Sequence, residues 1–331
     1  MKALALLSGG LDSIIAVKLI QKMGIEVEAL HFANPFHQSL TENLRKIRLL
    51  ASDLNIKLDI REFGEDYLRI IEEPRYNYGK QMNPCIDCRI YQLKEAKKIM
   101  VESGASFLIT GEVLEQRPHS QRRDALDIVE RDSELRGLVV RPLCAKHLRP
   151  TIPEEQGWID REQLLDIKGR GRDKQIELAR VFGISDYPSP AGGCLLTYRE
   201  YGEKVKDLIE FEKGLSLHSV KLLQTGRHLR LTPQVKLIVG KNEIENDRLR
   251  QMASPNEIIL ELADYQGPTT LYLGPFNDQA LYLAAAITAG YSKAPRGEKA
   301  RVFTTRGGSQ NTLDVIPLER TAIKKYFIQH L

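Results

Sequence analysis

The chain has 331 residues, 42% hydrophobic and 28% charged, with a formal net charge of +4 at pH 7. This is the composition of an ordinary soluble globular protein of two or three domains, and no stretch approaches the roughly 20 apolar residues of a membrane span. The chain enters a strand at once, which leaves no signal peptide, so a cytoplasmic location is expected. Its four cysteines point to metal or catalytic work rather than to a disulfide framework.

Leu4 to Leu7 is an apolar run of the kind that forms a buried parallel strand. Ser8, Gly9, Gly10, Leu11, Asp12 and Ser13 follow, and Ile14 to Ile20 has helical character. A glycine turn between strand and helix lets backbone approach a bulky anion, and free N–H groups at the helix start can donate to phosphate oxygens. Asp12 would repel a phosphate unless a divalent metal sits between them. An ordinary turn with Asp12 or Ser13 as helix cap is the alternative. There is no Gly-Lys-Ser/Thr, so the turn is not a Walker P-loop.

Val27 to Phe32 reads as a second strand, broken at Asn34-Pro35-Phe36. Thr41 to Leu54 is an amphipathic helix, and Lys57 to Arg61 a third strand. This alternation predicts an α/β fold with a doubly wound parallel sheet, whose ligands bind beyond the C-terminal strand ends. His31 and Phe32 then lie along the crevice, either as core packing or as part of an adenine pocket. Tyr67 to Gly79 looks helical with an interruption at Pro74. Cys85 and Cys88 fall on the turn entering a helix that runs from Cys88, where the helix N-terminus favours thiolates. Ser106 to Thr110 is a buried strand, with the loop Gly111 to Gln121 again at the C-terminal edge, and Val139 to Leu143 is the last core strand.

From Cys144 to Pro190 the pattern is polar and helical. Lys168 to Lys174 is a dense basic turn, either solvated or suited by its glycines to phosphate. Ser189 to Gly193 places Cys194 on flexible backbone, and Tyr201 to Glu212 is a helix. We place a boundary at 213/214. Residues 1–213 hold 33 basic and 34 acidic side chains, and residues 214–331 hold 15 and 10, an excess that suits a polyanion. In the second part, strands at 229–231, 235–239, 258–262, 270–273, 301–305 and 313–316, with helices at 278–289 and 319–330, predict a smaller α+β domain.

Cys85, Cys88 and Cys194 form a candidate three-thiol site without an obvious fourth ligand. This suits a 4Fe–4S cluster with one open iron. A persulfide and disulfide mechanism, a zinc site or plain buried thiols remain open. Cys144 reads as structural.

Ser8-Gly9-Gly10-Leu11-Asp12-Ser13 resembles the SGGxDS signature of the PP-loop ATP pyrophosphatase superfamily, whose fold is adenine nucleotide alpha-hydrolase-like. The resemblance implies ATP cleaved between its α and β phosphates with Mg²⁺, an adenylated acceptor oxygen and released pyrophosphate. More narrowly, His31-Phe32-x-x-Pro35-Phe36, Thr110-Gly111-Glu112-Val113-Leu114-Glu115-Gln116 and Arg141-Pro142-Leu143 resemble segments of the tRNA 4-thiouridine synthases. Asn83-Pro84-Cys85-x-x-Cys88 and Gly193-Cys194 are similar to the cysteine segments of 2-thiouridine synthases and their iron–sulfur-dependent relatives. Gly226 to Leu231, Ile238 to Glu243 and Gly267-Pro268 weakly resemble NFACT-type RNA-binding modules.

The resemblance implies ATP-dependent tRNA thiolation. Ser8, Gly9, Gly10, Asp12, Ser13, His31, Phe32, Gly111 and Gln116 would serve ATP, and Asp12 would hold Mg²⁺. Cys85, Cys88 and Cys194 would carry the cluster and sulfur transfer. The implied partners are tRNA and a sulfide or persulfide donor, without a membrane, and a homodimer is left open. Two rivals stand beside this reading: a PP-loop amide- or nitrile-forming ligase with structural zinc, and a non-catalytic RNA-binding protein with a degenerate nucleotide site.

Overall fold

The computed structural model describes residues 1–37, 40–185, 187 and 193–328. The chain divides into two compact units, Met1–Leu195 and Leu196–Leu331.

The first unit is built on strands β1 (Lys2–Leu6), β2 (Glu26–Ala33), β3 (Leu58–Glu62), β4 (Phe107–Thr110) and β5 (Val139–Val140). They pair in parallel in the order β3-β2-β1-β4-β5. Helices α1 (Leu11–Lys22), α2 (Leu40–Asp53), α3 (Glu65–Glu72), α4 (Cys85–Ser103), α5 (Arg123–Asp132), α6 (Ile152–Glu155) and α7 (Asp173–Val181) complete it. The apolar run of β1 is explained by burial on both faces. Ala3, Ala5 and Leu7 pack with α1 and α7, whereas Leu4 and Leu6 pack with α4 and α5. The strand order reverses at β1, between β2 and β4, and this switch point opens the crevice beyond the strand ends.

In the second unit, helices α8 (Arg199–Phe211) and α9 (Leu217–Leu222) precede β6 (Arg227–Thr232) and β7 (Val235–Val239). Then come α10 (Glu243–Met252), β8 (Ile258–Leu262), β9 (Thr270–Leu273), α11 (Asp278–Gly290), β10 (Ala300–Arg306), β11 (Ser309–Val315) and α12 (Arg320–Ile323). The sheet is antiparallel with order β11-β10-β8-β9-β7-β6. Period-two alternation feeds two cores. Val235, Leu237 and Val239 of β7 pack on the α11 side, whereas Ile238 joins Leu222 of α9 and Leu249 of α10.

Several elements differ from the sequence expectation. Helix α4 begins at Cys85, not Cys88, because Pro84 serves as its N-cap residue. The helix expected over 67–79 is Glu65–Glu72, ending before Pro74. The chain between 144 and 185 holds only short helices apart from α7. The last helix stops at Ile323 and tightens into a 3₁₀ turn over Lys324–Tyr326. Helix α8 falls within the second unit, so the division between units precedes the expected 213/214 boundary by one helix. Helices α5, α9 and α10 had no counterpart in the sequence reading. Residues 189–192, which precede the Gly193-Cys194 pair, lie outside the described residues.

Candidate active site

In the turn after β1, Gly10 N donates to Ser8 Oγ at 3.3 Å and Ser13 N to Gly10 O at 3.0 Å. Gly10 is the N-cap residue of α1, and no side chain caps the helix. The first-turn amides therefore retain the anion-binding character of a helix start. Gly9 has φ +82, a left-handed conformation that favours glycine, whereas the 2.7 Å approach of a Cβ to Ile47 Cδ1 could be relieved by the Ile47 side chain. The Ser8 hydroxyl donates to Ser13 Oγ at 3.2 Å, and the Ser13 hydroxyl donates to Gly10 O at 2.8 Å. These bonds hold the turn in a tight loop.

The loop after β4 closes on the same turn. A Cβ on Gly111 would lie 2.4 Å from Ser13 N and 2.6 Å from Asp12 C, so only glycine allows the approach. Gln116 Nε2 donates to Asp12 Oδ2 at 3.1 Å. Asp12 Oδ1 is buried without a partner. Burial raises the Asp12 pKa; Gln116, Arg172, Gln175 and Arg117 oppose that shift without cancelling it.

Arg172 and Gln175 come from the start of α7. The basic turn before that helix is tied to the loop after β4 by Gly169 N donating to Leu114 O at 2.8 Å and by the Leu114–Lys168 bridge. Gln175 is fully buried, and neither of its polar side-chain atoms has a well-formed hydrogen bond; Arg172 Nε is likewise without one. A carboxylate oxygen, an amide and one guanidinium nitrogen left buried in this way cost free energy in isolation. The donor set fits a divalent cation at Asp12 with phosphate oxygens against Arg172 and the α1 amides.

Behind the turn lies a buried ionic scaffold. Glu112 forms an ion pair with Arg89 Nε at 2.9 Å and accepts from Arg141 Nε at 3.0 Å, and Thr110 Oγ1 donates to it at 3.1 Å. Burial alone would raise the Glu112 pKa, but the two arginines prevail and lower it. Arg141 also pairs with Glu130. Cys144 is buried, its thiol donates to Glu112 O at 3.3 Å, and burial pushes its pKa up to about 11.

His31 serves the scaffold as well. Its Nδ1 bonds Leu7 O at 2.8 Å and its Nε2 bonds Asn43 at 3.3 Å, which ties β2 to the end of β1. Burial lowers its pKa, so the ring is neutral at pH 7. Phe32 stacks on Phe63 at 5.4 Å and lines an open cleft of about 260 Å³ with Arg61, Tyr91 and Lys98.

The three remaining thiols collect around Tyr67 in α3. Cys85 and Cys88 lie in the first turn of α4. The Tyr67 hydroxyl donates to Cys88 Sγ at 3.1 Å, Gln92 Nε2 donates to the same sulfur at 3.4 Å, and Asn83 Nδ2 donates to Cys85 Sγ at 3.2 Å. Cys194 is brought over by an antiparallel bridge to His37 and by Leu195 N donating to Phe36 O at 2.8 Å. Burial first, then Cys88, Cys194 and Cys85 together, raise the Tyr67 pKa well above its ordinary value, so all three sulfurs lie within electrostatic reach of one hydroxyl.

The expected thiolate at the helix start is not favoured at Cys88. Burial outweighs its hydrogen-bond donors and pushes this thiol up to about 11. A mononuclear ion needs its ligands about one point, and among the described residues no three His, Cys, Asp or Glu side chains form such a group. A 4Fe–4S cluster instead takes each cysteine on a separate iron, and its potential is tuned by hydrogen bonds to sulfur. Three thiols within electrostatic reach of one tyrosine, with N–H and O–H donors aimed at two of them, fit that requirement in donor chemistry.

Sequence reading missed Arg89 and Gln175, which carry no motif of their own. Arg172 was legible only as part of a basic turn.

The 3-2-1-4-5 parallel sheet, with a glycine turn and an acidic residue at its switch point, gives the first unit an open α/β fold of the kind that binds ligands beyond its strand ends. Residues 1–148 match the family model described as thiamine biosynthesis protein (ThiI), and residues 226–327 match the NFACT protein RNA binding domain. The chain thus resembles the PP-loop tRNA thiouridine synthases and carries an NFACT-like module at its C-terminal end. A probable tRNA sulfurtransferase of Lysinibacillus sphaericus is 36% identical over 120 residues, covering 35% of this chain and 28% of that protein. A tRNA sulfurtransferase of Desulfurococcus amylolyticus is 28% identical over 215 residues, covering 63% of this chain and 39% of that protein. The chain therefore spans well under half the length of these curated relatives. The solved structure of the U34-tRNA thiolase NcsA from Methanococcus maripaludis with its 4Fe–4S cluster is 18% identical, covers 67% of this chain and 72% of that one, and has a TM-score of 0.36.

Proposed function

We propose that this protein is an ATP-dependent tRNA thiouridine synthase. The observation that carries the proposal is the pairing, in one unit, of a buried half-partnered carboxylate at an uncapped helix start with three thiols around one tyrosine. The first arrangement suits activation by ATP, and the second suits delivery of sulfur.

The first-turn amides of α1 and Arg172 bind the ATP phosphates, and Asp12 would hold the accompanying Mg²⁺, which when bound offsets phosphate charge. Gln116 orients Asp12 through its bond to Oδ2. A uridine carbonyl oxygen attacks the α phosphorus, the α–β phosphoanhydride bond breaks, and pyrophosphate leaves. The adenylated carbon is then attacked by sulfur, and AMP departs with the former carbonyl oxygen. Cys85, Cys88 and Cys194 would hold the 4Fe–4S cluster, which when bound supplies an open iron for a sulfide. Tyr67, Gln92 and Asn83 hold the sulfurs in place by donating to them. The target base must leave its stack to reach such a site, and the second unit binds the RNA backbone.

The test is anaerobic incubation of the purified protein with tRNA, ATP, Mg²⁺ and sulfide, with pyrophosphate and nucleoside masses as readouts. Thiouridine formed in step with pyrophosphate is the expected result. Pyrophosphate release without any thiolated nucleoside, on addition of tRNA from several sources, would overturn the assignment.

A further inference from the structure

The second unit contains an open cleft at one end of its sheet. It measures about 310 Å³ and is lined by Ile258, Phe276, Leu281, Thr304, Arg306 and Asn311, with Ser309 beside them. Its origin is topological. Thr304 pairs with Asn311 and Arg306 with Ser309 across β10 and β11, so alternation puts all four side chains on one face. The same face carries Val302 and Leu260, which α11 buries. Helix α11 starts at Asp278, and Leu281 is its first residue to line the cleft. The last row of the sheet therefore extends past the helix that covers the rest.

What fills this end is unusual for an uncovered core edge. The floor is apolar, from Ile258 and Leu281, which are 4% and 6% exposed. The Phe276 ring at the rim is 57% exposed. The side chains of Arg306, Ser309 and Asn311 are exposed and make no hydrogen bond or ion pair among the described residues. A flat aromatic surface, a cation and unengaged amide and hydroxyl groups around a small apolar floor are the groups that recognise a single unstacked nucleotide. Arg306 also adds to the positive balance of this unit, where 19 basic side chains face 15 acidic ones.

We propose that this cleft holds one unpaired nucleotide of the bound RNA, its base stacked on Phe276, its edge bonded to Asn311 and Thr304, and its phosphate at Arg306. The inference rests on the RNA-binding reading of the second unit and adds to it a defined nucleotide site.

The test uses the full chain with two probes: tRNA, and a single-stranded RNA hexamer carrying 2-aminopurine. Stacking on Phe276 quenches 2-aminopurine fluorescence on binding. Phe276→Ala should abolish the quench and weaken hexamer binding roughly 5- to 150-fold, the range for loss of one stacked base. Phe276→Trp should retain both, and Asn311→Ala should weaken binding less. Thermal melts should show that these substitutions at exposed side chains leave the fold unchanged. If Phe276→Ala binds and quenches as the parent does, the nucleotide site is overturned while the RNA-binding reading stands. If the parent protein binds neither RNA at low salt, both are overturned.

Discussion

Asp12 shows how one side chain joins stability to function. Its carboxylate is mostly buried, one oxygen lacks a partner, and burial raises its pKa. An acid whose folded pKa is raised holds its proton longer in the native state than in the unfolded one. Stability therefore falls as pH rises across the interval between the two values. Asp12→Asn removes that loss, so the ligand-free variant should melt at the same temperature as the parent or higher near neutral pH, measured by calorimetry. On the proposed function, the same variant should lose pyrophosphate release by on the order of 100-fold or more, because an electrostatic group has left the site assigned to phosphoryl transfer. A variant that is both less stable and fully active would contradict both halves of this account. The S-G-G-L-D-S run was legible because its meaning is local: two glycines, a helix start and an acid. Gln175 was not, since a buried glutamine on a helix has no signature until α7 is seen against α1.

At the scale of elements, α4 and α8 each carry a testable arrangement. On α4, starting the helix at Cys85 puts Cys85 and Cys88 in one turn, both with donors to sulfur. Cys85→Ala, Cys88→Ala and Cys194→Ala should each remove bound iron and thiolation while leaving pyrophosphate release in place. Cys144→Ala should keep all three, since that thiol only bonds a backbone carbonyl behind the turn. Iron and sulfide analysis of anaerobically purified protein decides the matter, and iron-free protein active at full rate would favour a persulfide route.

Helix α8 packs on its sheet through charge. Asp207 receives Arg230 at 2.6 Å and Lys236 at 3.1 Å, and Lys236 and Asp207 side chains are 2% and 1% exposed. Asp207→Ala strands two buried cations and should cost about 3–5 kcal/mol in urea denaturation. One turn earlier, burial and then Lys241 and Lys236 pull the Lys204 pKa from 10.5 down to about 8. Between these values the unfolded chain holds the proton and the native chain does not, so stability rises with pH across that window. Lys204→Met should flatten the rise. Charged helices such as α10, which buries only Asn246 and Leu249, escaped sequence reading because so narrow a buried stripe leaves little period to detect.

For the whole molecule, charge divides as the units do. Residues 1–195 carry 29 basic and 29 acidic side chains, so the net charge of +4 resides in residues 196–331. Affinity for tRNA should fall linearly on a log–log plot against salt, as counterions released from the RNA backbone are replaced. Asp12→Asn should leave that line unchanged, because the Asp12 turn and the cationic unit are separate parts of the chain. A salt-independent affinity, or one lost with Asp12, would contradict this division. Among the described residues no helix is long and apolar enough to cross a membrane.

The sequence by itself determined the alternation of strands and helices, the glycine turn that opens the first helix and the presence of a smaller α+β C-terminal module. Those features depend on residue type and short-range period, which a linear chain displays. Tertiary structure alone decided which side chains share a site. It brought Arg172 and Gln175 from α7 to Asp12, paired Arg89 and Arg141 on Glu112, set His31 to bracing strand ends, and gathered Cys194 with Cys85 and Cys88 around Tyr67. The physical reason is that these contacts span gaps of roughly 20 to more than 150 positions. They are fixed by sheet order and by which face of a helix the core buries, and neither is written in the spacing of the residues concerned.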